Sequence, residues 1–277
     1  MSLSARYLLN FRDYKHSLAG EAGILNYILS RLPKRDSWVV EFGACDGYEF
    51  SNTIHLIETG NINAVLIEPQ DHFFTRLTEN MKPFPKVHCI KSMVNLTEGS
   101  TLDEILSRTP IPYDFDLLVI DIDNNDYQIF ESLNKYSPKI FMVEINNTFS
   151  NPTHEKIPTY DAPFVFGEHG SSLASMTILA ENKGYKLICN ISCNAIYVKN
   201  EFYSLFFQSN HNISEFYTYE GVSITRLKEL NFQQKLQKAQ EALRREWIVG
   251  KKNGILVAAL NVIKRFFNSS SEYISKS

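Results

Sequence analysis

Two hydrophobic periods alternate along this chain. Short apolar runs rich in β-branched and aromatic residues fall at Trp38–Phe42, Ala64–Ile67, Val87–Ile90, 115–120 and 139–145. Runs of this length and make-up read as buried strands. Between them the spacing changes to that of a helix. Ile24, Leu25, Ile28, Leu29 and Leu32 form a stripe that predicts a helix over 17–32, stopped by Pro33. Ile54 and Ile57 mark a helix after the first strand, and Phe73, Phe74 and Leu77 mark another after the second. Thr101 and Glu104 form a capping box for a short helix over 101–108. Ser171-Ser172 opens a helix through Lys183, with Gly184 as its C-cap glycine. A hairpin of 186–191 and 195–199 follows, turning at Ser192-Cys193-Asn194. Strand alternating with helix predicts an open, doubly wound α/β sheet.

The first strand runs into Glu41-Phe42-Gly43-Ala44-Cys45-Asp46-Gly47 and then into a helix. Strand, glycine loop and helix make a nucleotide-type pocket at the sheet edge. The spacing Gly43-x-x-x-Gly47 is not the Gly-x-Gly-x-x-Gly of dinucleotide sites. Glu41 and Asp46 would repel a pyrophosphate and suit a cation such as the sulfonium of S-adenosylmethionine (SAM). Glu68, before Pro69, ends the second strand, where a carboxylate can accept hydrogen bonds from both ribose hydroxyls. Ser92 to Asn95 would flank an adenine. The expected cofactor set is Glu41, Gly43, Ala44, Asp46, Gly47, Asn52, Glu68, Pro69, Ser92 and Asp121. Ser51-Asn52-Thr53 can equally cap the following helix. Glu21 can reach the cofactor's amino end or serve the dipole of its own helix.

A second acidic stretch, Asp121-Ile122-Asp123-Asn124-Asn125-Asp126-Tyr127, follows the fourth strand, and Glu144-Ile145-Asn146-Asn147 ends the fifth. Adjacent parallel strands bring both to one edge. Like charges so close call for a cation or for raised pKa values. Asp121, Asp123, Glu144 and Asn146 offer hard oxygen donors suited to Mg²⁺ or Mn²⁺. The alternative is that Asp121 or Asp123 touches the cofactor and Glu144 bonds backbone. The long loop 147–170 carries His154 and His169, candidates for a general base or a further ligand.

Composition narrows the classes. Of 277 residues, 44% are hydrophobic and 21% charged, as in an ordinary globular protein. A net charge of -3 leaves no nucleic-acid signature. Cys45, Cys89, Cys189 and Cys193 outline neither a disulfide framework nor a zinc site, so reduced thiols and a cytoplasmic setting are expected. The first ten residues are too polar and short for a signal peptide, and no apolar run is long enough to span a membrane. The expected organisation is a domain over 1–200 and a helical extension over 201–277. In that extension, 227–247 is a charged helix and 254–267 an apolar-rich one. Those helices can pack on the core, on a second subunit or on the inner face of a membrane.

Taken together, these motifs resemble the class I SAM-dependent methyltransferases, and within them the FkbM-like group. The resemblance runs from about His16 to Lys199. It includes Gly20-Glu21-Ala22-Gly23-Ile24-Leu25, the Glu41–Gly47 loop, Ser51-Asn52-Thr53, Leu66-Ile67-Glu68-Pro69, the Asp121–Tyr127 run, Val143-Glu144-Ile145-Asn146 and Gly170-Ser171-Ser172-Leu173. The family pattern often has glycine where Asn124 stands. The resemblance implies a Rossmann-like, seven-stranded, mostly parallel sheet. It also implies O-methyl transfer to a hydroxyl of a sugar, glycan or related metabolite, with Asp121, Asp123, His154 and His169 as the catalytic candidates. Some methyltransferases with acids after these two strands use a divalent metal to lower the hydroxyl's pKa. The competing expectation is a non-catalytic domain of the same fold that binds a glycan intermediate or a protein partner. An NAD oxidoreductase is disfavoured by the missing glycine fingerprint and by Asp46.

Overall fold

The structure, a computed structural model, describes residues 4–14, 16–17, 19–49, 51–122, 124–149, 151–162 and 170–217. Among these residues the strands are β1 (Trp38–Phe42), β2 (Asn63–Ile67), β3 (Val87–Ile90), β4 (Leu117–Ile120), β5 (Ile140–Glu144), β6 (Tyr185–Ile191) and β7 (Asn194–Lys199). The helices are α1 (Glu21–Arg31), α2 (Ile54–Ile57), α3 (Asp71–Met81), α4 (Leu102–Leu106), α5 (Asp126–Ser132), α6 (Leu173–Asn182) and α7 (Ile213–Phe216). The strands form one sheet in the order β3-β2-β1-β4-β5-β7-β6. β1 to β5 are parallel, and β7 runs antiparallel to both β5 and β6. This is the Rossmann-like, seven-stranded, mostly parallel sheet that was expected.

β4 is apolar throughout, and β1 and β5 are apolar apart from Glu41 and Glu144, because helices cover both faces of a parallel sheet. Every residue of β4 is buried, and so is every residue of β5 except Glu144. The strand order reverses between β1 and β4. Open α/β sheets bind ligands in the crevice outside the carboxyl ends at such a switch.

Two local differences from the expected elements stand out. α1 begins at Glu21, not at Ser17, because Gly20 sits at φ 99° and the backbone N–H of Asp13 donates to the Gly20 carbonyl. Ser17 is used before the helix, its hydroxyl accepting from Ala22 N–H at 3.1 Å. The strand from β4 ends at Ile120, so Asp121 lies in a loop. A helix, α5, follows that loop with Ile129 and Phe130 buried, and the sequence reading had no helix there. The expected capping box is present, with Thr101 and Glu104 exchanging bonds across the start of α4.

The chain divides into two units, Met1–Tyr219 and Glu220–Ser277. Residues 200–217, beyond β7, belong to the first. Tyr203, Phe206, Phe207 and Phe216 are buried there among the core residues. The Arg6 guanidinium donates to the Tyr217 carbonyl at 2.6 Å and to that of Glu215 at 3.2 Å. The helices expected over 227–247 and 254–267 lie outside the described residues. No described helix is long and apolar enough to cross a membrane.

Candidate functional site at the carboxyl edge

Strand register assembles the site. Ile67, Phe42, Ile120 and Val143 lie side by side across β2, β1, β4 and β5. The next residue of each strand is therefore Glu68, Gly43, Asp121 and Glu144. Glu144 is paired in turn with Asn194 of β7. Residues far apart in sequence thus form one row along the edge, centred on the switch between β1 and β4.

Gly43 is required there. Its φ is +79°, and a Cβ would stand 1.8 Å from the Asp121 carbonyl oxygen. The β1 loop runs directly against the loop leaving β4. Gly47, at φ +76°, faces the other way, and a Cβ there would meet Leu77 and Met81 of α3. One glycine serves the close approach of two site loops, and the other lets the loop pack on a helix. Ala44 is buried beside them.

The acids are held by partners that the sequence does not reveal. Glu41 is buried and accepts from Ser51 Oγ at 2.8 Å, from Asn52 N–H at 2.8 Å and from Thr53 Oγ1 at 2.5 Å. Burial pushes its pKa up, and these donors pull it back. Ser51 Oγ also accepts from Thr53 and Ile54 N–H, so Ser51 serves the start of α2 while Ser51, Asn52 and Thr53 together hold Glu41. Asp46 accepts from Tyr48 and Glu49 N–H, and its other oxygen is ion-paired to Arg76 of α3 at 2.5 Å. The negative charge expected from Asp46 is therefore paired with a cation from α3. Glu68 accepts from Cys45 N–H at 3.0 Å and from Gln70 N–H at 2.8 Å, which ties the β1 loop to the turn through Pro69. Glu68 is buried, and each carboxylate oxygen keeps a lone pair beyond these bonds.

Negative potential nevertheless concentrates at this edge. Cys45, at φ +47°, has its thiol pushed up to about 12 by burial, then by Glu68, Asp121, Asp46 and Glu41. Burial also raises the Cys193 thiol, reinforced by Glu144, Asp121 and Glu21. Asp121 acts on both thiols and so joins the two groups of acids. Glu21 is buried, accepting from Ala19 N–H at 2.8 Å and from Asn194 Nδ2 at 2.9 Å. Its carboxylate thus folds back over the start of α1.

The remaining expected site residues are dispersed. Ser92 is half-buried after β3, donating to the Met93 carbonyl. Asn146 Oδ1 accepts from Thr148 N–H at 3.0 Å and from Thr148 Oγ1 at 2.6 Å, and Asn146 bridges to Ser172. His154 is exposed with its ring against Phe149, and its neighbours Thr153 and Glu155 line a separate hollow beside α6. Asp123 and His169 lie outside the described residues. Among the described residues, no three His, Cys, Asp or Glu side chains group as a metal site. Asn124 links two loops, a role that its position in the sequence does not reveal. Its Nδ2 donates to the Ala162 carbonyl at 2.9 Å, and its Oδ1 accepts from Gly170 N–H at 3.3 Å. Where the family pattern often has glycine, this chain has a side chain tying the β4 loop to the long loop after β5.

No protein-family model matches the chain, and no curated protein matches it. Similar chain paths occur among solved structures. The N-terminal domain of EvdMO1 with SAH bound is 13% identical, with 65% of this chain and 80% of that one covered at a TM-score of 0.42. TrmK of M. capricolum in complex with SAH is 13% identical, with 91% and 96% covered at 0.40. The O-methyltransferase from Bacillus cereus in complex with SAH is 15% identical, with 69% and 84% covered at 0.44. These likenesses are too loose to carry an argument about activity, which rests on the residues of the carboxyl edge.

Proposed function

We propose that the carboxyl edge between β2 and β5 binds SAM and transfers its methyl group to a hydroxyl of a sugar, glycan or related metabolite. The observation that carries this reading is the register row Glu68, Gly43, Asp121, Glu144, negative in potential and placed at the switch of the strand order. When bound, SAM supplies a methyl group on a cationic sulfur, which the acceptor oxygen displaces in line while the bonding pair stays on sulfur. Glu68 has lone pairs for the ribose hydroxyls. Asp121 and its neighbouring acids favour the sulfonium. The acceptor's proton goes to a carboxylate, for which Asp121, between Gly43 and Glu144 in the row, is the candidate. The FkbM-like motifs support a sugar hydroxyl as the acceptor.

A divalent ion is not part of this reading. Asn146 spends its side-chain oxygen on Thr148, so one of the donors expected for a metal is already engaged. Turnover is expected to survive EDTA. Loss in EDTA that Mg²⁺ restores would return the metal to the mechanism.

One observation favours a second reading, a non-catalytic domain of the same fold. Glu41, Asp46 and Glu68 all make internal bonds that stabilise the loop without a ligand. Calorimetry separates the two. The wild-type protein is expected to bind SAM and not NAD, and Glu68→Ala to weaken SAM roughly tenfold to a hundredfold, the worth of hydrogen bonds to a charged group. A thermal melt of the variant controls for its lost bonds to Cys45 and Gln70. A folded wild-type protein that takes up no SAM would leave the second reading standing.

A further inference from the structure

We propose that the hollow beside α6 is a second ligand site, built for a neutral polyhydroxylated ring such as a single sugar unit. The hollow holds about 380 Å³, within the range of small-molecule sites. One face of α6 forms a wall through Ala174, Ile178 and Glu181. Lys186 and Leu187 of β6 form another, and Thr153 and Glu155 make the lip. Gly43, Glu68, Asp121 and Glu144 do not line it, so the proposal is independent of methyl transfer.

The lining is rich in hydrogen-bond acceptors. Lys186 is its cation, and it is held to the wall, donating to Asn210 Oδ1 at 2.8 Å and lying 4.8 Å over the Tyr203 ring. Glu155 and Glu181 outnumber it, which disfavours phosphates and other anions. His211 belongs to the same wall, with its Nδ1 2.8 Å from the Glu215 carboxylate. The ring is 9% exposed and packed edge-on against Phe207 and Phe216, and among the described residues Nε2 has no hydrogen-bond partner. Leu187, Ile213 and Phe216 supply an apolar surface beside these acceptors. Several hydroxyl donors on a ring with an apolar C–H face meet both requirements.

The test is methyl NMR on the full chain without SAM, titrated with methyl β-glucoside, methyl β-galactoside and N-acetylglucosamine, with inorganic phosphate as the anionic comparison. At least one sugar is expected to shift the Ile178, Leu187 and Ile213 methyls saturably in the millimolar range, while phosphate leaves them in place. Ile178→Trp, at a position 44% exposed and so tolerant of the change, is expected to weaken that sugar roughly tenfold by filling the hollow. Glu181→Ala is expected to weaken it as well by removing an acceptor from the lining, with the fold verified by its methyl spectrum. The proposal is overturned if no sugar moves these methyls. It is also overturned if phosphate moves them equally, or if Ile178→Trp leaves the sugar's affinity unchanged. Because SAM is absent, none of these results bears on the carboxyl edge.

Discussion

Gly43→Ala is expected to abolish SAM binding and to destabilise the protein by about 3–5 kcal/mol, the sum of backbone strain and overpacking. The new Cβ would stand 1.8 Å from the carbonyl oxygen of Asp121, and backbone on both sides leaves no flexible side chain to yield. Relief requires the β1 and β4 loops to part, which separates Glu68 from Asp121. Gly60→Ala is the matched comparison. Gly60 also has a positive φ, +73°, but nothing lies within 4 Å of a Cβ there. That variant is expected to lose only about 1–2 kcal/mol and to keep its SAM affinity. Urea denaturation and calorimetry on the two variants read both effects. Equal destabilisation would mean that the two loops do not meet as described.

Asp116→Ala is the second large loss, about 3–5 kcal/mol, and it arises at the opposite edge of the sheet. Asp116 is fully buried and accepts from the N–H groups of Asp36 and Ser37 at 3.0 Å each and from the Arg35 guanidinium. It also holds the buried Lys139 ammonium at 2.8 Å, and Asp36 pairs with the same ammonium. Removing Asp116 leaves a buried cation with one flanking carboxylate and strands two backbone donors. Burial by itself would lower the pKa of Lys139, but Asp116 and Asp36 reverse this and raise it. A cation whose pKa is higher folded than unfolded stabilises in full below its unfolded value, about 10.4. That stabilisation is lost as pH climbs through the folded value. The gap between wild type and Asp116→Ala is therefore expected to narrow in alkaline solution. Urea midpoints at neutral and alkaline pH test this, and a gap that does not change with pH would place the loss in the backbone bonds alone. SAM affinity is expected to hold wherever the variant is folded, since Asp116 lies at the amino ends of the strands.

The pattern of residues was most legible where burial is complete. β1 and β3 begin and end where the apolar runs do, and β2, β5, β6 and β7 differ by a residue at one end or both. A parallel strand covered on both faces must be continuously apolar, so its limits are written in composition. α6 was legible at both ends, with Ser172 capping and Gly184 at φ +84° after it, because caps are local chemistry. α5 leaves little trace in the pattern because Asp126–Ser132 is short and its apolar residues follow directly on an acidic run. The start of α1 was misplaced because the restraint on it, the Asp13–Gly20 backbone bond, joins residues outside any periodic pattern.

At the candidate site, residue identity alone determined that acids and glycines follow the strands, and parallel pairing is enough to bring Glu68, Gly43, Asp121 and Glu144 to one edge. Only the tertiary structure decided what those acids do with their charge. Asp46 is neutralised by Arg76 from α3, Glu41 is enclosed by Ser51, Asn52 and Thr53, and Asn146 is turned back on Thr148. The reason is physical. Strand order and burial follow from hydrophobic patterning repeated over many residues, whereas the state of one carboxylate depends on a few donors within hydrogen-bond reach, and chain folding brings those together from positions that no spacing rule connects.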